Sequence, residues 1–191
     1  KPLEILGARQ VGKTWLMKEF GKEAYKKCAY VNFEDNDDLR GMFEHDFDIQ
    51  RIIANLQWTT GVTIDEDTLI ILDEIQEAPR GITALKYFQE KAPQYHVIAA
   101  GSLLGIAMHK NDSFPVGKVD FMHLYPLSFY EFLNAIGEKK MVDLLQAKDW
   151  TMLTMVRAKF EERLRQYYFV GGMPAAVLAF VNDGDLNKVR T

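Results

Sequence analysis

The stretch Leu3-Glu4-Ile5-Leu6-Gly7-Ala8-Arg9-Gln10-Val11-Gly12-Lys13-Thr14-Trp15-Leu16-Met17 constrains this chain more than any other. It reads as a short apolar strand, a glycine-bounded loop, and Lys-Thr opening an amphipathic helix. That is the pattern GxxxxGKT in the context its chemistry requires, strand before and helix after. Backbone N–H groups of such a loop, from Gly7 and Ala8 through Arg9, Gln10, Val11 and Gly12 to Trp15, turn inward and cradle phosphate oxygens. The positive end of the following helix assists. Gly7 and Gly12 permit a backbone path that a side chain would obstruct. Lys13 can reach β- and γ-phosphates, and the Thr14 hydroxyl can ligate Mg²⁺. The competing reading is a glycine turn into a surface helix that matches the pattern by chance.

Composition narrows the class. The 191 residues suffice for one sizeable domain, or one domain with a small appendage. Hydrophobic residues at 48 % and charged residues at 26 % are ordinary for a packed globular chain. A net charge of −4 and a pI near 5.6 argue against a broadly basic nucleic-acid surface, though not against a local groove. The single cysteine, Cys28, cannot close an intramolecular disulfide and suits a reducing, cytoplasmic setting. No apolar run approaches the roughly 18–20 residues that span a bilayer. The chain starts at Lys1 without a methionine and stops at Thr191 without a helix stop signal, so it reads as a segment of a longer protein.

Along the chain, the first helix is expected from Lys13 to about Gly21, a residue that suits a helix end. Ala29–Phe33 reads as a second strand. The acidic run Glu34-Asp35-Asn36-Asp37-Asp38 lacks calcium-loop spacing and is expected to begin a solvated helix. Thr68-Leu69-Ile70-Ile71-Leu72 is an unbroken apolar run, the mark of a parallel strand covered on both faces. A helix is expected over Pro79–Lys91, a buried strand over Tyr95–Ser102, and a fifth strand over Val119–Leu124. From Ser128 onward only helices are expected: a capping box at Ser128 and Glu131, then Met141–Ala147, Thr151–Tyr168 and Ala175–Phe180. This pattern predicts an α/β, doubly wound parallel-sheet domain over residues 1–126 and a small helical lid over 127–191, with the boundary near Pro126. The Phe, Tyr and Met residues recur at core spacings and are assigned to packing. His45, His96, His109 and His123 have no mutual metal-ligand spacing.

The apolar strand before Asp73 and Glu74 is the partner a phosphate loop needs. Asp73 at a strand's carboxyl end can hold Mg²⁺ through water. Glu74 alternates to the other side of the strand end, free of the metal, and can polarise an attacking water. Ser102 ends the neighbouring strand. Its hydroxyl either orients the water or the γ-phosphate, or caps the next helix.

Together these residues resemble an AAA+ ATPase of the additional-strand P-loop class. Ala99-Ala100-Gly101-Ser102-Leu103-Leu104-Gly105, Phe114-Pro115-Val116-Gly117-Lys118, Leu124-Tyr125-Pro126-Leu127-Ser128-Phe129 and Gly171-Gly172-Met173-Pro174 narrow the resemblance. They point to a prokaryotic family of AAA-type ATPases that usually carries a C-terminal domain of unknown function. The resemblance implies a sheet in the order 5-1-4-3-2, a helical lid, and Mg²⁺-dependent ATP hydrolysis. In it, Lys13 and Thr14 serve the phosphates and metal, Asp73 and Glu74 form the acid pair, and Ser102 is a sensor. Gly172-Met173-Pro174 is similar to the glycine–x–proline element of signalling ATPases, which would bring Pro174 to the adenine. A plain helix-start proline is the other reading.

ATP and ADP are the implied ligands. A homo-oligomer, and DNA by family analogy only, are implied partners, with no membrane. Two departures stand out. No arginine is identifiable as a finger for a neighbour's γ-phosphate, and Lys118 stands where the family often has arginine. Arg80 is an alternative. Three functions therefore stay open: an ATPase coupling nucleotide state to movement of the lid and C-terminal domain, a slow nucleotide-gated switch, and a small-molecule kinase.

Overall fold

The computed structural model describes residues 1–102 and 117–183. The motif residues Leu103-Leu104-Gly105 and Phe114-Pro115-Val116, His109 and the last eight residues lie outside them, as do the side chains of Asp37 and Ser102. The chain divides into two compact units, Lys1–Leu124 and Tyr125–Thr191.

In the first unit, strands β1 (Leu3–Gly7), β2 (Lys27–Asn32), β3 (Thr68–Asp73), β4 (His96–Ser102) and β5 (Asp120–Leu124) form one sheet among the described residues. Every pairing is parallel and the order is β2-β3-β4-β1-β5. This is the expected order, read from the opposite edge. Strand β3 is buried at every position, as its unbroken apolar run requires.

The two faces of the sheet carry separate cores. Helix α1 (Lys13–Ala24) buries Lys13, Met17 and Gly21, a stripe of one residue per turn. Met17 packs there with Ile5, Leu69, Ile71, Ile98 and Ala100. On the other face lie α2 (Asp37–Arg40), α3 (Ile49–Thr60) and α4 (Gly81–Lys91). They contribute Leu39, Ile52, Leu56, Ile82, Leu85 and Phe88 to a larger cluster with Ile70, Leu72, Val97 and Ala99. The acidic run does open a short helix, with Asn36 at the N-cap of α2.

Gly21 does not end α1, which continues three residues further. A Cβ on Gly21 would stand 2.4 Å from Cys28 Sγ. The glycine is there for close approach of helix to strand rather than for termination. Gly21→Ala is therefore expected to destabilise the chain by about 1–3 kcal/mol through overpacking. Adding Cys28→Ala, which removes the obstructing sulfur, is expected to recover part of that loss in urea titrations. Strictly additive losses would refute the explanation.

The second unit holds α5 (Phe129–Ala135), α6 (Lys139–Ala147), α7 (Trp150–Met155), α8 (Arg157–Val170) and α9 (Pro174–Asp183). The capping box forms: Ser128 Oγ accepts from Glu131 N, and Ser128 N donates to Glu131 Oε2 at 2.7 Å. Phe132, Val170, Val177 and Phe180 make one small core, and Leu133, Met141 and Val142 another. Glu138 accepts from Lys159 and Arg163, tying the start of α6 to α8. The expected single helix over Thr151–Tyr168 is broken at Val156, where φ is −105°. No glycine or proline marks that break in the sequence.

Candidate nucleotide site

Strand β1 lies between β4 and β5, and the chain reverses its direction of strand addition there. Open parallel sheets bind ligands at the carboxyl ends beside such a switch point. The loop Ala8–Gly12 leaves β1 at that end. A Cβ on Gly7 would come within 2.5 Å of the Leu124 carbonyl of β5, and Gly12 adopts φ 100°, so both positions exclude a side chain. Gln10 also takes the left-handed conformation, at φ 62°. Val11 is buried and anchors the loop, while Ala8, Arg9 and Gln10 are exposed.

Helix α1 starts at Lys13 with no side-chain cap and no acid in its first turn. By contrast, Asp48 caps α3 and Ser128 caps α5. The first N–H groups of α1 are thus left to an anionic ligand. Lys13 is buried, and its Nζ donates to Ala8 O at 2.9 Å and Gly7 O at 3.2 Å. Burial lowers its pKa from the ordinary lysine value, opposed by the Glu74 and Asp73 carboxylates. Trp15 follows with 67 % of its surface exposed.

The acid pair, 59 residues away from Thr14 in sequence, meets the loop here. Thr14 Oγ1 donates to Asp73 Oδ2 at 2.6 Å. Asp73 is buried at the end of β3. Glu74 does not continue the strand's alternation. It leaves β3 in a left-handed backbone conformation, φ 52° and ψ 44°, and starts the 3-10 turn Ile75–Glu77. That conformation costs a non-glycine residue about 1–2 kcal/mol, and Gln76 holds the result by donating from Nε2 to Glu74 Oε2 at 2.5 Å.

Ser102 pairs with Gly7 across β4 and β1, so its backbone stands between the phosphate loop and β3. Pro174 is the first residue of α9 in the second unit, and Gly172, two residues before it, accepts from Leu127 N at 2.7 Å. Arg80 is committed elsewhere: its guanidinium stacks on Phe47 at 4.2 Å and donates to Glu44 O at 2.6 Å. Lys118 pairs with Glu90 at 3.3 Å.

Two residues assigned no role from the sequence belong to this site. Gln76 is one. Tyr30 is the other: assigned to packing, it donates its hydroxyl to Asp73 Oδ2 at 3.1 Å. Only the register of β2 against β3 reveals this, since Asn32 rather than Tyr30 lies opposite Asp73.

Thr14 and Asp73 offer a hydroxyl and a carboxylate within hydrogen-bond distance of each other. Two hard oxygen donors with no imidazole or thiolate suit Mg²⁺, which takes few protein ligands and completes its shell with water and substrate phosphate. No group of three or more His, Cys, Asp or Glu able to hold a metal ion occurs among the described residues.

A parallel sheet in this order, with a glycine loop after β1 and an acid closing β3, is the fold of a P-loop nucleotide-binding protein. The family model described as AAA domain matches residues 1–133, and the chain belongs to that family of AAA-type ATPase domains. No curated protein sequence matches it. Among solved structures it is similar to C. elegans PCH-2, at 15 % identity over 76 % of this chain and 40 % of that one, with a TM-score of 0.43. It is also similar to the Aeropyrum pernix ORC1 protein in complex with DNA, at 13 % identity over 74 % of this chain and 44 % of that one, TM-score 0.42. The chain therefore spans about two fifths of the length of these structures. No helix among the described residues is long and apolar enough to cross a membrane.

Proposed function

We propose that this chain is a Mg²⁺-dependent ATPase module whose nucleotide state acts on the helical second unit. The observation that carries the reading is the 2.6 Å bond between Thr14 and Asp73, which joins the phosphate loop to the acid pair. The loop N–H groups and the α1 N-terminus bind the phosphate chain. Lys13 exchanges its bonds to Gly7 O and Ala8 O for phosphate oxygens. Thr14 and Asp73 hold the metal, which when bound neutralises charge on the phosphates. Glu74, kept by Gln76 and outside the Thr14–Asp73 contact, takes the proton from an attacking water as the bond to the γ-phosphorus forms and ADP leaves. Ser102 orients that water, and Pro174 packs near the adenine.

The test is calorimetric titration of ATP into the parent chain and into Lys13→Ala. Losing a charge-assisted bond to phosphate is expected to weaken binding by about 10–100-fold. Equal affinity in the two chains would refute the phosphate-loop reading.

A second reading, a slowly hydrolysing nucleotide-gated switch, is favoured by the engagement of Arg80 with Glu44 and Phe47 and of Lys118 with Glu90. Neither cation is then at hand for a γ-phosphate. Negligible phosphate release with tightly retained ADP, with or without DNA and at every oligomeric state, selects the switch.

A further inference from the structure

We infer that Tyr30 is a positioning residue for the metal end of the site, its hydroxyl fixing the plane of the Asp73 carboxylate. The inference rests on the Mg²⁺-nucleotide reading above and adds to it a determinant of metal affinity that lies on β2.

Three donors from three parts of the chain converge on Asp73. Oδ2 accepts from Thr14 Oγ1 of α1 at 2.6 Å and from Tyr30 OH of β2 at 3.1 Å. Oδ1 accepts from the backbone N–H of Glu74 at 3.1 Å. A carboxylate on a single methylene can rotate about two bonds, and bonds to both oxygens remove that freedom. Thr14 cannot do this alone, because its oxygen is itself a metal donor and moves with the ion. Tyr30 contributes a proton and nothing else.

The ring is held from the helix that carries Thr14. Lys18 stands four residues after Thr14, on the same face of α1, and places its Nζ 3.6 Å from the Tyr30 ring centroid. On the strand side, Tyr30 lies opposite Ile71, so ring and carboxylate share a face of the sheet, two residues apart along β3. Thr14, Lys18, Tyr30 and Asp73 thus close a loop of contacts in which one helix and two strands each fix the next group. Groups that orient a metal ligand in this way typically alter metal affinity by about 10–100-fold.

The experiment uses the whole chain loaded with ADP and titrated with Mg²⁺ in a calorimeter. A second titration of ADP is made in EDTA. Tyr30→Phe removes the hydroxyl and keeps the ring. Its Mg²⁺ affinity is expected to fall about tenfold, with ADP affinity in EDTA unchanged within about twofold. Lys18→Met leaves the hydroxyl but frees the ring, and a smaller fall in the same direction is expected. A Mg²⁺ titration of Tyr30→Phe that superimposes on the parent overturns the inference. So does an equal loss of ADP binding in EDTA, which marks a merely structural role. Asp73→Asn separates the two levels: if it leaves Mg²⁺ affinity intact, the metal site itself is misassigned. If it loses Mg²⁺ while Tyr30→Phe does not, only the role of Tyr30 falls.

Discussion

Glu74→Gln is expected to bind ATP with near-parental affinity and to release phosphate about 10²–10⁴-fold more slowly, the contribution typical of a positioned general base. The substitution keeps size and shape and removes the negative charge and, with it, the capacity to take a proton. No hydrogen bond of the phosphate loop runs through it, since Lys13 bonds to Gly7 O and Ala8 O and Thr14 to Asp73. Glu74 meets Gln76 instead, and a glutamine there can still accept through its amide oxygen, so the local turn is preserved. A fall in turnover with ATP affinity unchanged separates chemistry from binding. Phosphate release at the parental rate sinks the assignment of Glu74 as base and leaves the nucleotide site standing.

What the residues disclose without coordinates follows from the range of each interaction. Strand–loop–helix at Leu3–Met17, the buried run ending at Asp73 and the capping box at Ser128 are local patterns, and local patterns survive in one dimension. The sheet order is less local, yet it follows once the family resemblance is recognised. Tyr30 is another matter. Its role depends on which residue of β3 it faces and on the meeting of its ring with Lys18 of α1, two long-range facts no spacing encodes. Glu74 shows a subtler gap. Strand alternation places it on the far side of the strand, but the strand has ended, and a left-handed backbone step sets its direction instead. Gly21 looks like a helix stop until Cys28 Sγ is found where its side chain would be.

Glu4 illustrates the converse, a residue whose charge contradicts its place. It is the second residue of β1, four positions before the first residue of the phosphate loop, and is fully buried. Leu3 and Ile5 face the core under α1, so Glu4 faces the other, where its register neighbours Ala99 and Phe121 pack. Neither carboxylate oxygen has a hydrogen-bond partner among the described residues. Burial raises its pKa from 4.5 to about 7.

The sign follows from proton counts. Between those two values the unfolded chain has released the proton and the folded chain still holds it, so stability falls as pH rises. The contribution is fully retained below the unfolded pKa and fully lost above the folded one. One pKa unit is 1.36 kcal/mol, which makes the cost about 1 kcal/mol at pH 5 and about 3 kcal/mol at pH 8. Glu4→Gln, which cannot ionise, is therefore expected to exceed the parent in stability by about 3 kcal/mol at pH 8, or about 6–12 °C in Tm. The gap is expected to shrink to about 1 kcal/mol at pH 5. Glu4→Met, which also removes the unpaired polar atoms, is expected to gain at both values. Urea titrations of the three chains at the two pH values decide it. A gap between Glu4→Gln and the parent that stays constant from pH 5 to pH 8 means the carboxyl does not titrate in this window, and the buried, unpartnered placement of Glu4 in β1 fails with it.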